Sequence, residues 1–218
     1  MSTPQTPALR ERLIDAGAEL VARGGTASLG LREIARRAGV SHGAPRRYFP
    51  THHALLSAIA QRGFEELGAR FDGAVASAAS PRAQLGALGR AYVGYALEHR
   101  GMFELMFRHD LLDSEVHGVR GAVADGADGA AEQQPRLRES TLPLMATVVD
   151  LVTECRTHEE GRPDPAVTAA ALWANLHGIA QLWTWGSLQL ALDDATLTRC
   201  DELVAASLDA HLGPAGTA

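Results

Sequence analysis

Residues 31–49 read LREIARRAGVSHGAPRRYF, which is the pattern of two short helices joined by a tight turn. From 31 to 38 the apolar residues recur at spacings of three and four, as they do along one face of a helix. Gly39 is a natural left-handed stop after this first helix. Ser41 is a natural cap for a second helix, which we predict over His42–Tyr48. The spacing therefore predicts a helix-turn-helix motif.

Basic charge is concentrated around this motif. The chain of 218 residues carries a net charge of −6, which taken alone argues against nucleic-acid binding. Residues 1–70, however, hold 10 Arg against 6 acidic residues, and the remaining 148 residues hold 10 Arg against 20. Six of the arginines lie within 23–53, where Glu33 is the single acid. A basic head on an acidic body indicates that one end of the protein meets DNA phosphates.

The rest of the chain reads as a string of helices. Almost no segment alternates with a period of two, so the predicted fold class is all-α. Gly24-Gly25 ends the first helix, and Asp164-Pro165 opens a late one with a cap and a proline at the first helical position. We place these helices at about 7–23, 51–77, 80–99, 102–108, 135–160, 164–191 and 195–212, with a further helix near 114–124 and a loose, mobile loop at 125–134.

The order of these features resembles the TetR family of bacterial transcriptional regulators. The resemblance covers Leu9–Phe64, and a second stretch, Leu172–Gly178, resembles the Trp…His-Gly signature of one C-terminal subfamily. It implies a helix-turn-helix DNA-binding domain at 1–70 and a helical effector-binding and dimerisation domain at 71–218. The residues that carry the first match are Arg32, Ile34-Ala35, Ala38-Gly39-Val40-Ser41, Tyr48-Phe49 and Leu55-Leu56.

Nine residues of the head are predicted to contact DNA, because the start of the second helix enters the major groove in this kind of motif. Arg46 stands where the family usually has an aromatic residue, and His52 stands where it usually has a phosphate-gripping Lys. Pro45 lies inside the second helix, near the limit of the first turn where a proline is tolerated. A solvated basic face is the alternative for any single arginine. The nine residues are Arg32, Ser41, His42, Gly43, Ala44, Arg46, Arg47, Tyr48 and His52.

A second set of residues is predicted to line a pocket for a small apolar or amphipathic effector. Met and aromatic side chains line adaptable apolar pockets, but they also fill ordinary cores, and both interpretations stay open. His177 with Gly178 could equally be a packing device, with the glycine allowing a close helix crossing. The candidates are Met102, Phe103, Met106, Phe107, Trp173, Leu176, His177 and Trp183.

The partners implied by the resemblance are a palindromic double-stranded operator and a second copy of the chain. A reader helix of about seven residues touches too few base pairs to specify a genomic site alone, so dimerisation is also a physical requirement. We expect the last two helices to form a four-helix bundle with their copies. The residues expected there are Leu176, Ala180, Leu188, Leu197, Leu203, Val204, Ser207 and Leu208.

Several function classes are not supported by the sequence. It has no Gly-rich phosphate loop, no Gly-x-Ser-x-Gly elbow and no His-Glu-x-x-His, so we predict no enzyme and no cofactor. The nine His are scattered, Cys155 and Cys200 lack metal-ligand spacing, and no metal site is expected. No membrane span or signal peptide is evident, and a cytoplasmic location is the expectation.

The sequence thus predicts a bacterial, ligand-responsive repressor that binds DNA as a homodimer. Two alternatives belong to other classes. In the first, the body is only a dimerisation or protein-partner scaffold with no small-molecule ligand. In the second, the protein is an all-α enzyme with an incidental helix-turn-helix, and no residue constellation supports it.

Overall fold

The computed structural model describes residues 8–108, 111, 137–156, 163–193 and 196–214. These residues form helices and turns, with no β-strand among them, as the all-α prediction requires. The predicted helix at 114–124 and the predicted mobile loop at 125–134 lie outside this part of the chain. The α-helices are α1 (Leu9–Gly24), α2 (Leu31–Arg37), α3 (His52–Ala76), α4 (Pro81–Glu98), α5 (Arg100–Met106), α6 (Leu137–Cys155), α7 (Pro165–Thr184), α8 (Ser187–Leu192) and α9 (Leu197–Leu212).

The helix boundaries follow from local capping chemistry. Asp164 caps α7 by accepting a 2.7 Å hydrogen bond from the amide of Ala166, and Pro165 takes the first helical position, as predicted. The single helix predicted over 164–191 is wrong, because the structure divides it into α7 and α8. Gly186 adopts a φ of +79° between them, a left-handed conformation that interrupts the helix and that glycine adopts without steric cost.

The chain forms two compact units, and neither is one continuous stretch. The first unit takes the residues up to Glu65 and then those from His99 to Ser140. The second unit takes Glu66–Glu98 and the residues from Thr141 onwards. Helix α3 therefore contributes its first part to one unit and its second part to the other.

The first unit is built around α1, α2, the beginning of α3, and α5. Its core holds Leu13, Ile34 and Leu55, each fully buried. Helix α5 lies so close to α1 that a Cβ at Gly101 would be 2.5 Å from the backbone oxygen of Val21. Only glycine permits that approach, since real Cβ atoms do not come so near to a backbone atom.

The second unit packs α4 against α7 and α9. A Cβ on Gly89 would lie 2.7 Å from a methyl carbon of Val204 and 3.3 Å from one of Leu176, so this glycine lets the three helices meet. Arg82 at the start of α4 pairs with Asp209 of α9 at the rim. None of the helices described is long and apolar enough to cross a membrane.

Candidate functional site

The turn of the helix-turn-helix has the predicted geometry. Gly39 has a φ of +68°, and its amide donates a 3.2 Å hydrogen bond to the carbonyl of Arg36. The amide of Val40 reaches back to the carbonyl of Ala35 at 3.0 Å. These two bonds are the Schellman arrangement that ends a helix on a left-handed glycine, so the predicted stop at Gly39 is confirmed.

The second helix of the motif is shorter and tighter than predicted. An α-helix over His42–Tyr48 is wrong, since the structure has a 3-10 helix over Ala44–Arg47. Pro45 has no amide hydrogen to donate to the carbonyl of Ser41, and that carbonyl accepts from Ala44 at 3.0 Å instead. The cap expected from the Ser41 side chain is also wrong, because the N-cap is Gly43, with no side-chain cap bond. We name residues 41–48 the reader segment.

Two buried residues anchor the reader segment to the first unit. Pro45 is buried, and Phe49, directly after the segment, is 2% exposed. The guanidinium of Arg10 lies 5.5 Å from the Phe49 ring centroid, a cation–π distance. Arg12 donates a 2.6 Å hydrogen bond to the carbonyl of Ala38 at the end of α2. Helix α1 therefore holds both sides of the motif in place.

The arginines of the motif divide into paired and unpaired ones. Nε of Arg36 donates to Glu33 at 2.9 Å, and Nε of Arg37 donates to Glu19 at 2.9 Å. The hydrogen bond from each arginine is the main reason that the pKa of its glutamate lies below the ordinary value. In contrast, the exposed Arg32, Arg46 and Arg47 form no ion pair within the described chain. Their charge remains available to a phosphate.

The other predicted DNA residues lie on the same unit. Ser41, His42, Gly43 and Tyr48 are exposed, and Ala44 is half-buried. A Cβ on Gly43 would meet nothing within 4 Å, so the backbone there is open to a close approach.

His52 is exposed as well, but one nitrogen of its ring already forms a hydrogen bond within the protein. Its Nε2 lies 2.7 Å from the carbonyl of Leu29, which can only accept, so this nitrogen carries a proton and donates it. The phosphate contact predicted for His52 is therefore not available through Nε2. Thr51, not among the predicted site residues, caps α3, because its hydroxyl accepts a 3.0 Å hydrogen bond from the amide of Ala54.

The predicted effector residues fall into two groups, one in each unit. Met102, Phe103 and Met106 are buried in the first unit. A Cβ on Gly63 would lie 2.6 Å from the sulfur of Met106, which shows how tightly α5 packs on α3. Phe107 lies 4.8 Å from Phe103, centroid to centroid. The burial of Met102, Phe103 and Met106 favours core packing, the second of the two interpretations left open above.

The second group centres on a chain of hydrogen bonds. Nε1 of Trp173 donates to the hydroxyl of Tyr92 at 3.1 Å, and that hydroxyl lies 2.8 Å from Nδ1 of His177. Burial raises the pKa of Tyr92 and lowers the pKa of His177, so both groups are held neutral. Trp173 remains 38% exposed. The sequence placed Trp173 and His177 on one face but did not single out Tyr92, on α4, as their partner.

Leu176 and Trp183 lie in the core of the second unit, not on its surface. Leu176 faces α4, where it packs beside Gly89. Gly178 mediates no helix crossing within the described part of this chain, because a Cβ there would meet nothing within 4 Å. Glycine at position 89 fills that role instead.

A stripe of apolar and small residues runs along the outside of α7. Val167, Leu182 and Trp185 are exposed by 59%, 39% and 66%. Several residues expected in the dimer interface, including Leu176 and Val204, are instead buried within the chain's own second unit. For these buried residues the expectation is wrong, because a helix can carry apolar residues on two faces and the sequence does not say which face is internal. The outer stripe consists of Val167, Ala171, Ala174, Gly178, Leu182 and Trp185.

The cysteines and acidic residues form no evident reactive site in the part of the chain that the structure describes. Burial raises the pKa of the Cys200 thiol to about 11 and also raises that of Cys155, so both are held as thiols. Within the described ranges, His, Cys, Asp and Glu side chains do not gather in a group that could hold a metal ion.

Comparison with protein families explains the arrangement of a reader segment followed by a helical body. Residues 13–59 match the bacterial regulatory proteins of the tetR family, and residues 85–207 match the tetracyclin repressor-like C-terminal domain. The chain belongs to the TetR family. TetR proteins are DNA-binding transcriptional regulators rather than enzymes, and this chain is therefore a DNA-binding transcriptional regulator.

Individual relatives agree with the family assignment. The TetR chain is 37% identical over 87 residues to the HTH-type transcriptional repressor KstR of Mycolicibacterium smegmatis, a match that covers 38% of this chain and 42% of KstR. The chain thus spans about two fifths of the length of this curated relative. A solved protein of unknown function from Rhodococcus sp. RHA1 is 33% identical, with 97% of each chain covered and a TM-score of 0.70.

More distant solved structures share the fold. The multidrug binding protein EbrR, complexed with imidazole, is 24% identical, with 97% of this chain and 99% of EbrR covered and a TM-score of 0.53. A transcriptional regulator from Rhodococcus sp. Rha1 is 21% identical, with 93% and 95% covered and a TM-score of 0.63.

Proposed function

We propose that this TetR protein is a cytoplasmic repressor that binds a palindromic operator as a homodimer and releases it when a small apolar or amphipathic molecule enters the body. The head, which includes α5 as well as the residues up to Glu65, reads DNA, and the second unit dimerises and takes the effector. Helix α3 is the proposed coupling element, because its residues belong to both units. The effector must prefer the state that cannot bind DNA, since otherwise it would not shift the equilibrium.

The main support for this proposal is that some arginines of the motif are in ion pairs and others are not. Arg36 and Arg37 are neutralised by Glu33 and Glu19, whereas Arg46 and Arg47 stand exposed on the reader segment. Buried Pro45 and Phe49 fix that segment from beneath. A rigid surface with unneutralised guanidinium groups suits phosphate contacts and readout of guanine edges.

The outer stripe of α7 supports the homodimer. Its members are spaced by four, three, four, four and three residues, a pattern that keeps them on one face of the helix. Ala171, Ala174 and Gly178 are small enough to let a second helix approach closely, and Leu182 and Trp185 supply apolar area. An exposed apolar surface of this kind marks an interface rather than a solvated face.

The effector is proposed to contact the exposed part of the Trp173–Tyr92–His177 chain. Trp173 offers an aromatic face, and His177, which is half-buried, offers a neutral polar group. EbrR, which shares the fold, is a multidrug binding protein complexed with imidazole, and we propose a ligand-binding role for this chain by analogy. The competing candidate is a body that serves only as a dimerisation scaffold, which the buried packing of Met102, Phe103 and Met106 favours.

The test is binding of the purified full-length protein to fragments of its source genome, including the DNA upstream of its own gene, at two salt concentrations. Tight binding to a palindromic site, weakened by salt, is the expected result. Weak binding that does not depend on sequence would contradict the proposal. Addition of candidate effectors to the bound complex then separates a sensor from a scaffold, because only a sensor releases the DNA.

A further inference from the structure

A cavity of about 300 Å³ lies in the second unit, and its lining does not include Trp173, Tyr92 or His177. It forms where the end of α6, the start of α7 and the end of α9 meet. Its size is at the lower end of the range for small-molecule sites, sufficient for one small organic molecule. The residues that line it are Arg156, Pro163, Thr168, Ala210, His211 and Gly213.

Arg156 is fixed in the wall of this cavity by neutral oxygens. One terminal nitrogen of its guanidinium donates to the carbonyl of Pro163, and the other donates to the hydroxyl of Thr168. Thr168 is itself only 5% exposed, so packing holds its hydroxyl in place beside the guanidinium. The Nε–H of Arg156 is buried and has no hydrogen-bond partner within the described chain. The protein thus holds a positive charge here even though one of its donors stays unsatisfied.

No carboxylate in the described ranges forms an ion pair with Arg156. Glu154 is the nearest acid along the described chain, and it is exposed. The carboxylate of Asp164 caps the amide of Ala166, and Asp209, next to the cavity residue Ala210, pairs with Arg82. The last turn of α9 ends at the cavity, and its carbonyls bear the partial negative charge of a helix C-terminus. An unpaired guanidinium facing a cavity is the arrangement that recognises a carboxylate.

A second polar side chain completes the wall. Nε2 of His211 lies 2.7 Å from Nδ2 of Asn175, and this hydrogen bond ties the end of α9 to α7. The imidazole is therefore held in one orientation beside the cavity and does not close it. Ala210 and Gly213 leave the remaining wall small and uncharged.

We propose that this cavity binds a small organic carboxylate, with Arg156 as the group that recognises its charge. The site is separate from the proposed effector contact at Trp173 and does not depend on DNA binding. Arg156 is the specificity residue, Thr168 is its positioning residue, and Ala210 lies at the rim.

The test compares benzoate with benzamide, which has the same shape without the charge, by calorimetric titration of the full-length protein. We expect benzoate to bind at least about tenfold more tightly than benzamide, and Arg156→Gln to remove that difference. Arg199→Gln, an exposed arginine of the same unit paired with Glu202, is the matched control and should bind like the wild type.

A second variant keeps the test independent of the Arg156 hydrogen bonds. Ala210→Phe fills the cavity from its rim without removing any of them, and it should abolish benzoate binding while the helical circular dichroism stays unchanged. The proposal is overturned if benzoate does not bind, if benzamide binds equally well, or if Ala210→Phe leaves benzoate binding unchanged.

Discussion

The hydroxyl of Tyr92 lies 2.8 Å from Nδ1 of His177. Because the indole of Trp173 can only donate, the Tyr92 oxygen accepts a hydrogen bond from it. These two hydrogen bonds join three side chains from α4 and α7 at a place where the body is partly open to solvent.

Replacing Tyr92 with Phe should destabilise the protein. The substitution keeps the ring but removes the hydroxyl, so the indole N–H of Trp173 and Nδ1 of His177 both lose this hydrogen-bond partner. We expect the free energy of unfolding to fall by about 1–3 kcal/mol, measured by urea denaturation followed by circular dichroism. Tyr48→Phe, at an exposed tyrosine, is the control. If the two substitutions lower the free energy of unfolding equally, the hydrogen bonds of the Tyr92 hydroxyl do not stabilise the protein more than an exposed hydroxyl does.

His177, a member of this hydrogen-bonded group, makes the stability of the protein depend on pH. Burial lowers the pKa of His177, so the unfolded protein takes up this proton before the folded protein does as the pH falls. The contribution of His177 to stability is complete above its ordinary pKa of about 6.5 and is lost as the pH falls through that value towards the folded pKa. Wild type should therefore lose more stability than His177→Gln between about pH 7.5 and pH 5.5, by urea denaturation. A difference between the two proteins that stays constant with pH contradicts this prediction.

Arginines on the reader segment should act differently from those in ion pairs. Arg46→Ala and Arg47→Ala each remove an unneutralised charge, and we expect weaker binding to all DNA sequences. The slope of log affinity against log salt should become shallower by about 0.9 for each phosphate that the variant no longer neutralises. Arg36→Ala is the control, because Arg36 is exposed but paired with Glu33. If all three variants behave alike in salt titrations by fluorescence anisotropy, net charge rather than position determines binding.

The outer stripe of α7 should be required for dimerisation. Leu182→Glu places a charge in the middle of the proposed interface, and we expect a folded monomer in sedimentation velocity, since a charge buried there would have no partner. Leu142→Glu is the matched control, because Leu142 is also exposed but lies on α6. If the Leu182→Glu variant remains dimeric, the dimer interface lies elsewhere on the chain.

Two glycines give opposite expectations for the same substitution. Gly101→Ala would put a Cβ 2.5 Å from the backbone of Val21, and we expect a loss of about 1–3 kcal/mol in the free energy of unfolding. Gly94→Ala, inside α4 with no atom within 4 Å of the added carbon, should increase it by about 0.5–1 kcal/mol. Thermal and urea denaturation of both variants test the sign. A neutral Gly101→Ala would mean that α5 moves aside at little cost.

Features that depend on short-range chemistry are predictable from the sequence. The left-handed stop at Gly39 and the cap at Asp164 each involve residues no more than five positions apart, and both are as expected. The same holds for the shared face of Trp173 and His177. The 3-10 helix at Ala44–Arg47 differs from the predicted α-helix because Pro45, although tolerable near a first turn, removes the hydrogen bond to Ser41.

Features that depend on distant contacts were not predictable from the sequence. Leu176 and Leu182 are both apolar residues of α7, yet one is buried against α4 and the other is exposed. Periodicity shows that a helix has apolar faces but does not say which face meets which neighbour. The same reasoning explains the bond from His52 to Leu29 and the packing of Met102 in the first unit, since each pairs residues that are far apart in the sequence.

The place of α5 in the first unit has a consequence for biosynthesis. Gly101 packs on Val21, and Met106 packs against Gly63, so the DNA-reading end is completed by residues that emerge from the ribosome well after the motif itself. A nascent chain that stops at residue 70 exposes the apolar surface that α5 covers. The reader is therefore not a transferable module of the first 70 residues, and a graft of this head onto another body must carry α5 with it.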